Sequence, residues 1–191
     1  MVKVGINGFG RIGRLILRAL LENYKGKIQV VGINDLGSIE TNAHLIKYDS
    51  THGILNHDVK TSGDGFQIGD QNIKVFAERD PAKLPWGKVG ADVVLECTGF
   101  FLDKDSAGKH IQAGAKKVII SAPAKEVDFT LVQGVNSKEL KKDHSIISNG
   151  SCTTNCLAPV AMVLEKTFGI TYGYMTTIHS CLLYTSDAAD E

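Results

Sequence analysis

The sequence predicts an α/β fold: a doubly wound, mostly parallel sheet, followed by the truncated start of an α+β domain. Three observations predict it. A strand, a glycine turn, an amphipathic helix and a second strand follow one another within residues 2–34. Short apolar strands then alternate with helical segments as far as residue 148, the pattern of a sheet with helices on both faces. Hydrophobic residues make up 43% of the 191-residue chain and charged residues 22%, as in folded globular domains. Its 20 glycines stand against 4 prolines, which suits tight turns between regular elements.

Val2, Val4 and Ile6 alternate with Lys3 and Gly5 in a run that suits a buried strand. The turn Asn7-Gly8-Phe9-Gly10-Arg11-Ile12-Gly13 follows at once. Ile12, Leu15, Ile16, Ala19 and Leu20 then recur at helical spacing, with Arg14 and Arg18 on the other face. Residues 28–33 form a second apolar strand, closed by Asn34-Asp35. Together these make a βαβ unit, right-handed by default. Residues 39–48 read as a short helix, and 58–60, 66–68 and 73–76 as short strands between Gly/Asp turns. A buried strand at 92–96, a helix at 104–113 and strands at 117–120 and 145–148 complete the alternation. Small polar residues fill 149–156, and Leu157, Val160, Ala161, Leu164 and Phe168 then share a helical stripe. Residues 170–178 are a strand candidate. The chain so divides into a domain at 1–149 and the start of another at 150–180.

Lys plus Arg and Asp plus Glu each number 21, so the net charge is zero. That lacks the basic footprint of a nucleic-acid binder. No apolar run approaches the ~20 residues that span a bilayer. The N-terminus enters a strand without a basic-then-apolar leader, and a cytoplasmic protein is expected. Cys97, Cys152, Cys156 and Cys181 are too few for a disulfide scaffold. A Cys-x₃-Cys pair with no second ligand pair does not suit zinc, so no metal is expected. His44, His52, His57, His110 and His144 lie among loops and surfaces and read as solvated or structural.

Gly8-x-Gly10-x-x-Gly13 has dinucleotide-binding spacing, with a strand before it and a helix after it. The first glycine makes the tight turn and the second lets backbone approach a pyrophosphate. The third allows close helix–strand packing, and the helix N-terminus faces the phosphates. Asp35 stands 22 residues beyond Gly13, at the end of the next strand. There a carboxylate accepts from adenosine ribose hydroxyls and repels a 2′-phosphate, favouring NAD over NADP. A mere surface turn residue is the alternative for Asp35, and ribose binding the favoured reading. The domain is therefore of Rossmann type.

Cys152 sits where Ser151-Cys152-Thr153-Thr154 begins a helix. Helix starts carry unpaired N–H groups and partial positive charge, which favour an anionic sulfur. His179, at the end of the following strand candidate, is a candidate base. A small buried hydrophobe is the alternative for Cys152, and Cys156 reads as a packing residue or passive second thiol.

Residues 6–14, Lys47-Tyr48-Asp49-Ser50-Thr51-His52-Gly53, Glu78-Arg79-Asp80-Pro81 and Ser151-Cys152-Thr153-Thr154-Asn155-Cys156-Leu157-Ala158-Pro159 together resemble the phosphorylating glyceraldehyde-3-phosphate dehydrogenases. The likeness runs from residue 2 to about residue 180. It implies that Asn7, Gly8, Phe9, Gly10, Arg11, Ile12 and Gly13 hold the NAD backbone, with Asp35 on the adenosine ribose and Arg79 on the adenine side. It puts Thr98, Gly99 and Ser121 along the approach to the nicotinamide half. Cys152 is then the nucleophile and His179 the base, while Ser151, Thr153 and Thr154 help hold phosphate. The substrates implied are glyceraldehyde 3-phosphate and inorganic phosphate, in glycolysis or gluconeogenesis, and the full-length parent is implied to be a homotetramer. Erythrose-4-phosphate dehydrogenase shares these motifs, and an NAD-binding module without catalysis is the reading from another class.

Two positions depart from the family pattern. Gly150 stands where the family usually has alanine, a change expected to matter little. After Ser180 the pattern is lost, and residues 181–191 resemble one reading frame through a transposase-type sequencing adapter. That tail is read as a library artefact, and Cys181 as without a biological role.

Overall fold

The structure, a computed structural model, describes residues 1–179, so the reading of 181–191 lies outside the described residues. The elements in order are β1 (Val2–Asn7), α1 (Arg11–Asn23), β2 (Ile28–Asn34), α2 (Ile39–Lys47), β3 (Tyr48–Asp49), β4 (Gly53–Ile54), β5 (Val59–Ser62), β6 (Gly65–Ile68), β7 (Gln71–Phe76), α3 (Trp86–Val89), β8 (Val93–Glu96), α4 (Lys104–Gln112), β9 (Lys117–Ile120), β10 (Phe129–Thr130), β11 (Ile146–Ser148) and α5 (Cys152–Phe168).

One sheet has the order β10-β11-β9-β8-β1-β2-β7-β6-β5. Every pairing from β10 to β7 is parallel, and only β7-β6-β5 is antiparallel. Within it, β7-β2-β1-β8-β9-β11 follows the 3-2-1-4-5-6 strand order of dinucleotide-binding sheets. From β1 the chain moves first to β2 on one side and later to β8 on the other, so a crevice opens at their carboxyl ends. Register aligns Asn7 with both Asn34 and Glu96 across those ends.

The apolar strands bury both faces. Val4, Ile6, Val30 and Ile33 pack with Leu17 and Leu21 of α1 and Ile46 of α2. On the opposite face Trp86, Val94 and Ala115 form one cluster, and Ala107 of α4 packs on Val118, Ile120 and Ile146. Gly5 makes room for the Trp86 indole, which a Cβ there would meet at 2.6 Å.

Four expectations need correction. Arg14 and Arg18 do not lie on an outward face: α1 turns Gly13, Arg14, Leu17, Arg18 and Leu21 inward. Backbone carbonyls receive both guanidinium groups, Arg14 on Phe9 at 3.0 Å and Arg18 on Ile46, Lys47 and Gly53 at 2.9–3.2 Å. Burial also lowers the Arg14 pKa from its usual value. His110 is wholly buried rather than at a surface. The helix at 39–48 ends at Lys47, because Tyr48 pairs with Ile54 in the small β3–β4 ribbon. Finally, 170–178 form no strand. A strand needs a partner for its backbone groups, and none of the described strands pairs with this segment.

Candidate functional site

A cleft of about 410 Å³ opens at the carboxyl ends of β1, β2 and β8. Gly8 and Gly10 form its floor; Asn34, Asp35, Leu36 and Arg79 line the β2 side; Cys97, Thr98 and Phe100 line the β8 side. Gly8 has φ +89° and its missing Cβ would lie 2.8 Å from the Thr98 nitrogen. Only glycine permits both the left-handed turn and this approach. A Cβ on Gly13 would strike the Gly8 carbonyl oxygen, which explains the third glycine. Gly10 caps α1 with no side-chain hydrogen bond, so no side chain covers the first-turn N–H groups.

Asp35 ties the site together. One carboxylate oxygen accepts from the Phe9 N–H at 2.8 Å, and the other from Gly37 N–H at 2.8 Å and Asn42 Nδ2 at 3.3 Å. It is thus oriented at the end of β2 and faces the cleft. A dinucleotide fits these residues: the cleft offers a glycine floor, an uncapped helix start and an acidic edge.

Other predicted residues lie just behind the cleft. The Phe9 side chain is buried in the core. Arg11 pairs with Asp49 at 3.2 Å, and Ile12 is half-buried in the first turn of α1. Gly99 turns the chain with φ +76° between Thr98 and Phe100. Ser121 donates its N–H to the Glu96 carbonyl at 3.0 Å. The Asn7 amide has internal partners at both ends, Glu96 at 2.6 Å and Asn34 at 2.7 Å. The sequence reading missed Asn34, Leu36, Glu78, Cys97, Phe100 and Phe101, all of which line the cleft. All but Phe101 adjoin a predicted residue, and that adjacency was the available signal.

The second cluster stands at the start of α5. Ser151 caps the helix by accepting from the Thr154 N–H at 2.9 Å, with the Thr154 hydroxyl 2.8 Å from its own. Asn155 reaches back to the carbonyls of Asn149 and Ser151 at 2.7 and 2.9 Å. Cys152 is therefore the first helical residue and is exposed, so the buried-hydrophobe alternative is not what the structure shows. Cys156 is exposed as well, not packed. The His179 Nε2 lies 3.4 Å from the Thr153 hydroxyl and 3.0 Å from that of Thr177. Among the described residues no hydrogen bond joins it to Cys152. No group of three or more His, Cys, Asp or Glu residues able to hold a metal occurs among them either.

Comparison with known proteins extends this. Residues 2–104 match the family model described as glyceraldehyde 3-phosphate dehydrogenase, NAD binding domain, and 151–189 the model of that family's C-terminal domain. Glyceraldehyde-3-phosphate dehydrogenase of Xanthobacter flavus is 55% identical over 186 residues, covering 97% of this chain and 55% of that protein. The protein of the same name from Geobacillus stearothermophilus is 56% identical over 187 residues, covering 97% and 54%. The chain thus spans about half the length of the curated relatives it matches. The family model that matches residues 2–104 makes NAD the cofactor of the first domain, and the chain belongs to the glyceraldehyde 3-phosphate dehydrogenase family.

Proposed function

We propose that the full-length parent of this chain oxidises glyceraldehyde 3-phosphate to 1,3-bisphosphoglycerate, with NAD and inorganic phosphate. The observation that carries this is the exposed Cys152 at the first position of α5, capped by Ser151. The Cys152 sulfur attacks the aldehyde carbon and the carbonyl oxygen becomes a hydroxyl, giving a hemithioacetal. His179 takes the hydroxyl proton. Bound NAD supplies the hydride acceptor that converts this adduct to a thioester. Phosphate then attacks the carbonyl carbon, the C–S bond breaks with its electron pair returning to the Cys152 sulfur, and the acyl phosphate leaves. The first-turn N–H groups of α5 suit the oxyanion formed on the way, and Ser151, Thr153 and Thr154 supply hydroxyls toward phosphate.

Asp35 favours NAD over NADP, since its charge repels a 2′-phosphate. The parent acts in glycolysis or gluconeogenesis, in the cytoplasm and as a homotetramer. Free Cys97, Cys152 and Cys156 support a reducing compartment. The 191 residues alone bind NAD weakly and without turnover, because no strand at 170–178 packs His179 against Cys152. Catalysis needs reacting groups at ~3–3.5 Å.

The test is phosphate-dependent NADH formation from glyceraldehyde 3-phosphate. The parent should show it, and Cys152→Ser should lose roughly a thousandfold or more. A Cys152→Ser parent that keeps its rate removes Cys152 as nucleophile. Turnover by the 191-residue chain at the parent's rate contradicts the requirement for a packed His179.

A further inference from the structure

Glu96 and His110 are both wholly enclosed and have no part in the chemistry of Cys152. They are links in a run of hydrogen bonds beneath the cleft. The Trp86 indole N–H donates to His110 Nδ1 at 2.9 Å, and His110 Nε2 lies 2.9 Å from Glu96 Oε2. Asn7 Nδ2 donates to the same oxygen at 2.6 Å, and Asn34 Nδ2 to Asn7 Oδ1 at 2.7 Å. Asn34 in turn donates to the Glu78 carbonyl and accepts from the Glu78 N–H, both at 2.8 Å.

Groups that cannot reverse fix the polarity of this run at each end. An indole N–H only donates, so His110 Nδ1 carries a lone pair and the ring proton sits on Nε2, aimed at Glu96. The Glu78 backbone decides which end of Asn34 is nitrogen. That decides Asn7, whose nitrogen then also faces Glu96. On Glu96 Oε1 the Thr98 N–H donates at 2.8 Å. The Thr98 hydroxyl accepts from the Phe100 N–H at 3.1 Å and donates to Oε1 as well. Four donors thus converge on two oxygens, so Glu96 serves only as an acceptor, the hydrogen-bonding role of an ionised carboxylate. Among the described residues no Lys or Arg pairs with Glu96. An uncompensated negative charge therefore lies directly behind Cys97 and Thr98, the β8 side of the cleft.

The next step rests on the NAD reading. With the adenosine ribose on Asp35 at the β2 side, the nicotinamide half extends toward β8. That ring is cationic in NAD⁺ and neutral in NADH. We infer that Glu96 is a specificity-determining residue that biases the cleft toward the oxidised dinucleotide over the reduced one. A unit charge lying behind the wall of the cleft, at the effective dielectric of a protein site, changes such an affinity ratio by about tenfold.

The experiment uses the 191-residue chain with 15N-labelled histidine, and calorimetric titration with NAD⁺ and with NADH. Long-range 1H–15N spectra should show His110 protonated on Nε2 and bare on Nδ1. Glu96→Gln should raise the ratio of the NAD⁺ Kd to the NADH Kd about tenfold. A doubly protonated His110, or one protonated on Nδ1, overturns the inference, and this reading needs no variant to fold. Equal weakening of both nucleotides also overturns it, since loss of a merely structural carboxylate would do that. If the unmutated chain binds neither nucleotide, the NAD reading itself falls and takes the inference with it.

Discussion

Cys97 and Cys152 show how far environment separates two side chains of one kind. Burial pushes the Cys97 thiol up to about 12, with the Glu96 charge adding to it and a Ser121 hydrogen bond opposing. Cys152 and Cys156 are exposed on α5. Iodoacetamide at neutral pH should therefore modify the peptide holding Cys152 and Cys156 and leave the Cys97 peptide at least about a hundredfold slower, read by mass spectrometry. Equal labelling would mean that Cys97 is open to solvent. Residue type and spacing exposed Cys152, Asp35 and the three glycines to a sequence reading, because each meets a local demand of a turn or a helix start. Arg14 and Arg18 were illegible for the opposite reason. Their acceptors are carbonyls of Phe9, Ile46, Lys47 and Gly53, and no periodicity shows where carbonyls will point. At Gly150 the structure adds φ +68°, which glycine adopts without strain, so this departure from the family pattern fits its local backbone.

At the scale of elements, Arg18 adds a polar tie between α1, α2 and β4 to the apolar packing of α1 on α2. Its guanidinium bonds the last turn of α2 and the first residue of β4 while its stem lies in α1. A cation there also meets the negative end of the α2 dipole. Arg18→Met should cost about 3 kcal/mol, since it leaves buried carbonyls without donors. Urea denaturation of the two proteins measures this, and a loss below about 0.5 kcal/mol would show that water replaces the guanidinium. Long elements were legible, among them β1, α1, β2 and the β5–β6–β7 meander, because periodicity accumulates over four or more residues. The two-residue strands β3, β4 and β10 were not. They are too short for alternation to register and exist only through their partners, Tyr48–Asp49 beside Gly53–Ile54 and Phe129–Thr130 beside Ile147–Ser148.

Over the whole molecule, one carboxylate joins segments that the sheet alone does not. Asp128 accepts from Lys104 Nζ at 2.6 Å, and from the N–H groups of Ser145 and Ile146 at 2.7 and 2.9 Å. The Lys104 bond, then the two backbone bonds, hold its pKa down to about 2 from 3.8. A depressed folded-state value means that the stabilisation is complete above about pH 4. It fades as the pH falls through 3.8 toward 2. Thermal midpoints of the protein and of Asp128→Asn should differ most at pH 5–7 and converge near pH 2. A gap that stays constant across that range would separate Asp128 from the acid response. The doubly wound architecture was readable from the alternation of apolar strands and helices. The fate of 170–178 was not, because a strand's existence depends on a neighbouring edge that local sequence cannot supply.

Trp86 gives the molecule an optical property that follows from its place. It is the only tryptophan in the chain, wholly buried against Gly5 and Gly32 and bonded to His110. Indole emission therefore watches a single point at the centre of the parallel sheet. No residue of α5 is buried, and none joins the three apolar cores. Melting of α5 will thus reduce far-ultraviolet ellipticity while the fluorescence spectrum stays still. Unfolding followed by the two signals will give two curves, and the distance between them is the independence of the cysteine helix from the nucleotide-binding sheet.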